Sequence, residues 1–185
     1  MFKKNKKSLR EHFLKKRNLI GDLDIQNIKI NKNLIDYFSN FKGKNIAGYL
    51  PIRNEVDILI SLTYLSKNNL VCIPVIIKKN ESLKFSVWEE KMRLVEGIYK
   101  ILIPSRLNFI TPEILLVPLV AFDKKKNRLG YGGGFYDKTI ESLKKKQPQI
   151  LLIGIGFDEQ ECKQLPINSY DQPLDLVITQ SRIIK

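Results

Sequence analysis

Four glycines, Gly130, Gly132, Gly133 and Gly134, crowd the run AFDKKKNRLGYGGGFYDKTI, flanked by Arg128 and Asp137. Each glycine raises the entropy lost on folding by roughly 0.5 to 1 kcal/mol relative to alanine, so such a cluster implies positive φ angles or close backbone approach to a ligand. The run lies between an apolar strand-like stretch and a helical pattern. A helix N-terminus offers unpaired N–H groups and the positive end of the helix dipole, and Arg128 adds a bidentate donor, so the chemistry indicated is phosphate binding. The alternative is a tight strand-to-helix turn without ligand. Neither GxGxxG with its acidic partner nor GxxxxGK[ST] is present, so a nucleotide would be held in some other way.

Other chemistry-bearing residues are scattered. Lys6 and Arg10 lie four apart, so a helix would set both on one face, either to meet a polyphosphate together or as a solvated basic face. Glu55 follows a strand end and Pro51, and by itself reads as an exposed or helix-capping glutamate. Asp137 is placed to N-cap the helix after the loop, a role that contributes about 1 kcal/mol. Asp123 ends a buried strand beside the loop and is expected to orient it; Asp171 sits in a proline-containing loop, and Asp175 begins the last strand in a structural role. Trp88, Tyr99 and Phe135 are candidates for ring stacking, although most such residues are core. His12 is the sole histidine, which leaves no histidine pair for catalysis or zinc. Cys72 and Cys162 lack the close spacing of a metal or redox pair and read as thiols.

These residues need a frame. Residues 6–20 place Leu9, Phe13 and Leu14 at helical spacing among basic residues, and a second helix is expected around Asn33 to Phe41. Asn45 to Leu50 reads as a buried strand, Asp57 to Ser66 as a helix, Leu70 to Ile77 as a strand, and Phe85 to Trp88 as a short strand. Ile114 to Ala121 and Ile150 to Gly156 are continuous apolar runs, the pattern of strands covered on both faces of a parallel sheet, with a helix over Asp137 to Lys146 between them. Leu174 to Thr179 adds a final strand. The expectation is one α/β domain over residues 1–185, with a mainly parallel sheet flanked by crossover helices.

Composition narrows the classes. At 43% hydrophobic and 28% charged residues, the chain is neither disordered nor a membrane protein in type. No apolar stretch approaches a bilayer span, and Met1 to Lys7 lacks the apolar run of a signal peptide, so the expected compartment is the cytoplasm. The net charge of +13 fits either a lysine-rich composition or an anionic partner, since Lys3 to Lys7, Lys124 to Lys126 and Lys144 to Lys146 could neutralise phosphates.

Leu116 to Asp123 followed by Arg128 to Asp137 closely resembles the signature of the 5-formyltetrahydrofolate cyclo-ligases, or methenyltetrahydrofolate synthetases. Three further segments fall in family order: KKSLR at 6–10, LPIRNE at 50–55 and DQPLD at 171–175. The resemblance implies a fold like the ribose-phosphate isomerase and CoA-transferase group. It also implies an enzyme, a ligase of folate one-carbon metabolism, that converts 5-formyltetrahydrofolate and ATP to 5,10-methenyltetrahydrofolate, ADP and phosphate with Mg2+. In that chemistry the formyl oxygen attacks the γ-phosphate, the folate N10 closes on the activated carbon, and phosphate departs.

By the same resemblance Lys6, Arg10 and Arg128 are the catalytic cations, and ATP is bound by Lys6, Arg10 and the run Arg128, Leu129, Gly130, Tyr131, Gly132, Gly133, Gly134, Phe135 and Tyr136. Folate meets Leu50, Glu55 and the segment Tyr131 to Phe135, and magnesium meets Asp137 and Asp171. Glu55 then accepts hydrogen bonds from the pterin amino and ring N–H groups. Two positions depart from the family pattern. An aliphatic residue around Ile101 replaces an aromatic found near the pterin in some members, and Lys126 stands where a turn glycine is common. The partners implied are these two small molecules, with no nucleic acid or membrane, for a protein acting as a monomer. An isomerase or CoA-transferase relative would share the fold without needing ATP. A basic RNA-binding module is disfavoured because aromatics are not interleaved with the basic runs.

Overall fold

The computed structural model describes residues 5–185; the start of the basic run at Lys3 and most of Met1–Lys7 lie outside it. In chain order the elements are α1 (Lys6–Asn18), α2 (Leu23–Phe38), β1 (Asn45–Ala47), α3 (Leu59–Leu65), β2 (Leu70–Val75), β3 (Lys84–Val87), β4 (Leu94–Glu96), β5 (Leu102–Pro104), β6 (Phe109–Ile110), β7 (Ile114–Pro118), β8 (Ala121–Asp123), β9 (Arg128–Leu129), α4 (Phe135–Lys146), β10 (Leu151–Ile155), β11 (Glu161–Cys162), β12 (Leu176–Ile178) and β13 (Ile183–Ile184).

Eight strands form one sheet in the order β13-β12-β10-β7-β1-β2-β3-β6. The five central strands, β12 through β2, run parallel, while β13, β3 and β6 pair antiparallel at the edges. The side chains of the central strands alternate between two cores, as a sheet covered on both faces requires. Ile46, Ile73, Leu116, Ile153 and Ile178 face α2 and α3 through Leu34, Phe38, Leu62 and Leu65. Ala47, Cys72, Leu115, Val117 and Leu152 face Ile140 and Leu143 of α4. The α/β class with a mainly parallel central sheet and flanking helices is what the apolar runs indicated.

The chain differs from its sequence reading in three places. α2 starts at Leu23, well before Asn33. Midway along it Asn31 is buried and satisfied: Nδ2 donates to Asn27 O at 2.8 Å and to Asp57 O at 2.7 Å, while Oδ1 accepts from the Ser61 hydroxyl at 2.6 Å. The run Ile114 to Ala121 divides at Pro118, beyond which β8 joins β9 and β11 in a separate three-stranded sheet. The β4–β5 hairpin and the edge strands β6 and β13 are apolar but only two or three residues long, too short to show a strand period.

The order of connection matters for the site. From β1 the chain passes through α3 to β2 on one side; from β7 it proceeds to β10 and β12 on the other. Segments leaving the carboxyl ends of the adjacent strands β1 and β7 therefore diverge, which opens a crevice of the kind where open α/β sheets bind ligands.

Candidate active site

α1 approaches that crevice along its length. Asn5 caps it, the Asn5 side chain accepting from Ser8 N at 2.8 Å. Leu9, Phe13 and Arg17, spaced at one face, are its buried residues. Beside that stripe Lys6 Nζ donates to Asp171 Oδ1 at 2.7 Å, and Arg10 Nε donates to the Gly130 carbonyl at 2.8 Å. The two cations four residues apart thus both reach loops that carry the other candidate residues.

The glycine-rich loop turns tightly. Gly132 has φ +98° and Gly134 φ +68°, backbone that residues with a Cβ rarely adopt. Gly133 is crowded, because a Cβ there would stand 2.9 Å from the Phe135 ring, whereas Gly130 has open space around it. Gly134 is the N-cap of α4. Asp137 is therefore not the cap expected from sequence: it lies within the first turn, where its charge still favours the helix dipole. Its Oδ1 instead accepts from Arg128 Nη2 at 2.7 Å. The other arm of Arg128 donates to the Gln172 carbonyl, next to Asp171. One guanidinium thereby joins the Asp137 carboxylate to the backbone next to Asp171.

Leu50 and Glu55 arrive on the segment leaving β1. Arg53 and Asn54 both have positive φ, +49° and +59°, and Glu55 N donates to Ile52 O at 2.9 Å, so residues 52–55 form a tight turn of the primed type without glycine. Arg53 in this region stores strain on the order of 1 kcal/mol or more. The turn delivers the Glu55 carboxylate to a buried position, 7% exposed, where Oε2 accepts from Ile52 N at 3.0 Å. Burial raises the Glu55 pKa; the Ile52 N–H, the Tyr131 hydroxyl, Arg17 and Arg53 act in the opposite direction. The Tyr131 pKa is pushed up to about 12 by burial and by Glu55, so the Tyr131 hydroxyl keeps its proton beside that carboxylate. Tyr136 and Tyr49, raised by burial and then by Glu55, likewise stay neutral. Tyr131, set within the glycine-rich loop, is the physical link between the loop and Glu55.

Other assigned residues are arranged less simply. Leu129 is buried with Leu9, Phe13 and Leu165, so its side chain is core and only its backbone borders the loop. Trp88 is also core, among Ile46, Val71 and Leu65. Tyr99 is 57% exposed at a second positive-φ turn, Tyr99 at +60° and Lys100 at +58°, and meets the half-buried Phe135 edge-on with ring centroids 6.2 Å apart. Ile101, the aliphatic position noted above, closes that turn, so an aromatic ring stands two residues before it. Lys126 has φ +63°, the conformation for which a glycine is suited. Its turn is held by buried Asp123, which accepts from Lys125 N at 3.0 Å, Asn127 N at 3.1 Å and Leu165 N at 3.0 Å. Asp175 Oδ2 accepts from Leu152 N at 2.7 Å and tethers the start of the last parallel strand.

Sequence reasoning missed Arg17, which donates to Arg53 O and to the Tyr131 hydroxyl, both at 2.6 Å. The signal was its phase with Leu9 and Phe13, which puts a cation on the buried face of α1.

The chain matches the 5-formyltetrahydrofolate cyclo-ligase family over residues 2–180. It belongs to that family. A 5-formyltetrahydrofolate cyclo-ligase of Mycoplasma genitalium is 33% identical over 94% of this chain and 97% of its own length, and that of Haemophilus influenzae is 30% identical over 78% and 80%. Among solved structures, the 5,10-methenyltetrahydrofolate synthetase of Mycoplasma pneumoniae superposes with a TM-score of 0.77 at 28% identity, covering 96% of this chain and all of that one. The Aquifex aeolicus synthetase gives 0.76 at 25% identity, covering 96% and 91%. The cyclo-ligase likeness therefore extends through every segment that builds the crevice.

Proposed function

We propose that this protein catalyses the ATP- and Mg2+-dependent cyclisation of 5-formyltetrahydrofolate to 5,10-methenyltetrahydrofolate, releasing ADP and phosphate. The observation that carries the proposal is that Arg10 and Arg128 hold a glycine-rich loop whose Tyr131 hydroxyl acts on the buried carboxylate of Glu55, with Lys6 on Asp171 beside the Arg128 contact at Gln172. A nucleotide and a folate would then share one loop, as transfer of a phosphoryl group between them requires.

The N-formyl oxygen is a poor leaving group, and ring closure by the neighbouring amine needs it converted to phosphate. In-line phosphoryl transfer asks for positioning and charge neutralisation. Lys6, Arg10 and Arg128 supply the positive charge, and the α4 N-terminus behind Gly134 supplies backbone N–H groups. Glu55 orients the pterin by accepting from its amino and ring N–H groups, with Leu50 and Phe135 as apolar walls and Tyr99 the nearest exposed ring. Asp137 and Asp171 would hold magnesium; two hard-oxygen donors suit an ion bound through one or two carboxylates, phosphates and water, and when bound it would neutralise charge on the transferring phosphoryl group.

The test is direct. Absorbance at the methenyl-folate band should grow only when 5-formyltetrahydrofolate, ATP and magnesium are all supplied to the purified protein. Turnover without ATP would sink the assignment and favour a fold relative that needs no nucleotide.

A further inference from the structure

Arg17 is the bulkiest fully buried side chain among the described residues, 1% exposed. Nη1 donates to Leu119 O at 3.2 Å, while Nη2 donates to Arg53 O and to Tyr131 Oη, each at 2.6 Å. Nε has no hydrogen-bond partner among the described residues. Taking a guanidinium out of water costs several kcal/mol, and an apolar side chain of similar volume often serves stability as well or better. Core packing alone therefore does not account for a cation at this position.

Its acceptors do. They belong to three segments: the exit of β7 at Leu119, the strained turn at Arg53, and the glycine-rich loop at Tyr131. Arginine has donors only, so the Tyr131 oxygen must accept from it, and the single tyrosine proton is left for Glu55. Two guanidinium groups also stand near the Tyr131 ring, 5.7 Å from its centroid for Arg17 and 5.4 Å for Arg53.

We propose that Arg17 is a positioning residue for the folate side of the site, fixing the Ile52–Glu55 turn through the Arg53 carbonyl and aiming the Tyr131 proton at Glu55. This rests on the reading of Glu55 as the folate carboxylate. The charged and titratable groups that face Glu55 are Arg17 from α1, Arg53 from its own turn, Tyr49 from the segment after β1, Tyr131 from the loop and Tyr136 from α4.

The test uses the full chain with Arg17→Met, Arg17→Lys, Tyr131→Phe and the Arg17→Met/Tyr131→Phe double variant. The Glu55 carboxylate is titrated by carbon NMR, its signal assigned with Glu55→Gln, and 5-formyltetrahydrofolate and ATP affinities are measured by calorimetry. Arg17→Met and Tyr131→Phe should each move the Glu55 titration upward and weaken folate binding by about 10-fold to 100-fold, and Arg17→Met should change ATP affinity by less than about twofold. The double variant should bind folate no worse than Arg17→Met. Arg17→Lys should fall between wild type and Arg17→Met, because an ammonium lacks the planar fork. An unmoved Glu55 titration, or equal losses for folate and ATP in Arg17→Met, would overturn the proposal. Should Arg17→Met fail to fold, Tyr131→Phe decides it, since only a hydroxyl is removed. A wild-type protein that binds no folate would refute the proposed function, while the Glu55 titration would still judge the action of Arg17.

Discussion

Replacing Gly132 by alanine isolates what the loop conformation does for the nucleotide side. With φ at +98°, Gly132 lies outside even the left-handed helical region near +57°, and an alanine there carries strain on the order of 1 to 3 kcal/mol. Its Cβ would stand 3.2 Å from Arg10 Cζ and 3.4 Å from Nε, the atom that donates to Gly130 O at 2.8 Å. The guanidinium must retreat by a few tenths of an ångström, loosening that bond and misplacing the charge. For a chain of this size each kcal/mol lowers Tm by about 2 to 4 °C, so the variant should melt about 2 to 12 °C below wild type. A charge-assisted hydrogen bond contributes about 1.5 to 3 kcal/mol, so kcat/KM for ATP should fall by about 10-fold to 100-fold. The assay is initial methenyl-folate formation with ATP varied at saturating folate, alongside a thermal melt. Gly21→Ala, between α1 and α2 with no atom within 4 Å of the added methyl, serves as the control and should shift Tm by less than about 2 °C. A Gly132→Ala protein that melts with wild type, or one whose folate KM rises while that for ATP is spared, would refute this role for Gly132.

Glu55→Gln keeps the shape and an acceptor for Ile52 N but removes the charge, so folate affinity should drop about 10-fold to 100-fold with little change for ATP; calorimetry showing equal losses would refute the assignment. Burial holds the Glu55 pKa above its unfolded value, so its contribution to stability is present at low pH and is lost as pH rises through the native pKa. Wild type should therefore lose Tm relative to Glu55→Gln across the window from the ordinary carboxylate range up to that raised value, and parallel curves would remove the linkage. Asp171→Ala frees Lys6 and deletes one proposed magnesium donor, so half-maximal rate should require several-fold more magnesium in a protein that still melts cooperatively. An unchanged magnesium titration would take Asp171 out of the site.

Much of this was legible because it is written in short-range pattern. The continuous apolar runs of β7 and β10 mark strands covered on both faces, and the glycine cluster marks a loop with positive φ, as Gly132 and Gly134 bear out. What escaped depends on contacts distant in sequence. Asp137 looks like a cap until Arg128 is seen to take its carboxylate. Leu129 belongs to a ligand-like loop in sequence but to the α1 core in space. Glu55 could be read as an exposed glutamate because nothing in LPIRNE announces two consecutive positive-φ residues without glycine, and the Tyr131 hydroxyl that holds it comes from 76 positions further on. Arg17 was hidden by its company, one basic residue among several on a lysine-rich helix, and only its phase with Leu9 and Phe13 distinguishes it.

The divergence at β1 and β7 explains why these contacts converge where they do. Gly48 to Glu55 leaves one strand and Leu119 to Gly134 leaves its neighbour, so the two segments would part unless something bridged them. α1, which belongs to neither, bridges them from its far end: Arg17 donates to Leu119 on one segment and to Arg53 on the other. The same helix presents Arg10 and Lys6 about 10 and 16 Å back along its axis, at a rise of 1.5 Å per residue. A rigid helix of this kind fixes the distance between the cations that would meet a polyphosphate and the turn that presents Glu55. In the proposed reaction, where one bound molecule would attack the other in line, that fixed separation would itself contribute to catalysis, since misplacement by about 1 Å can cost 100-fold in rate. The glycine-rich loop then needs only to close the remaining gap. It does so with Tyr131 toward Glu55 and Gly130 toward Arg10, one on each side of the proposed site.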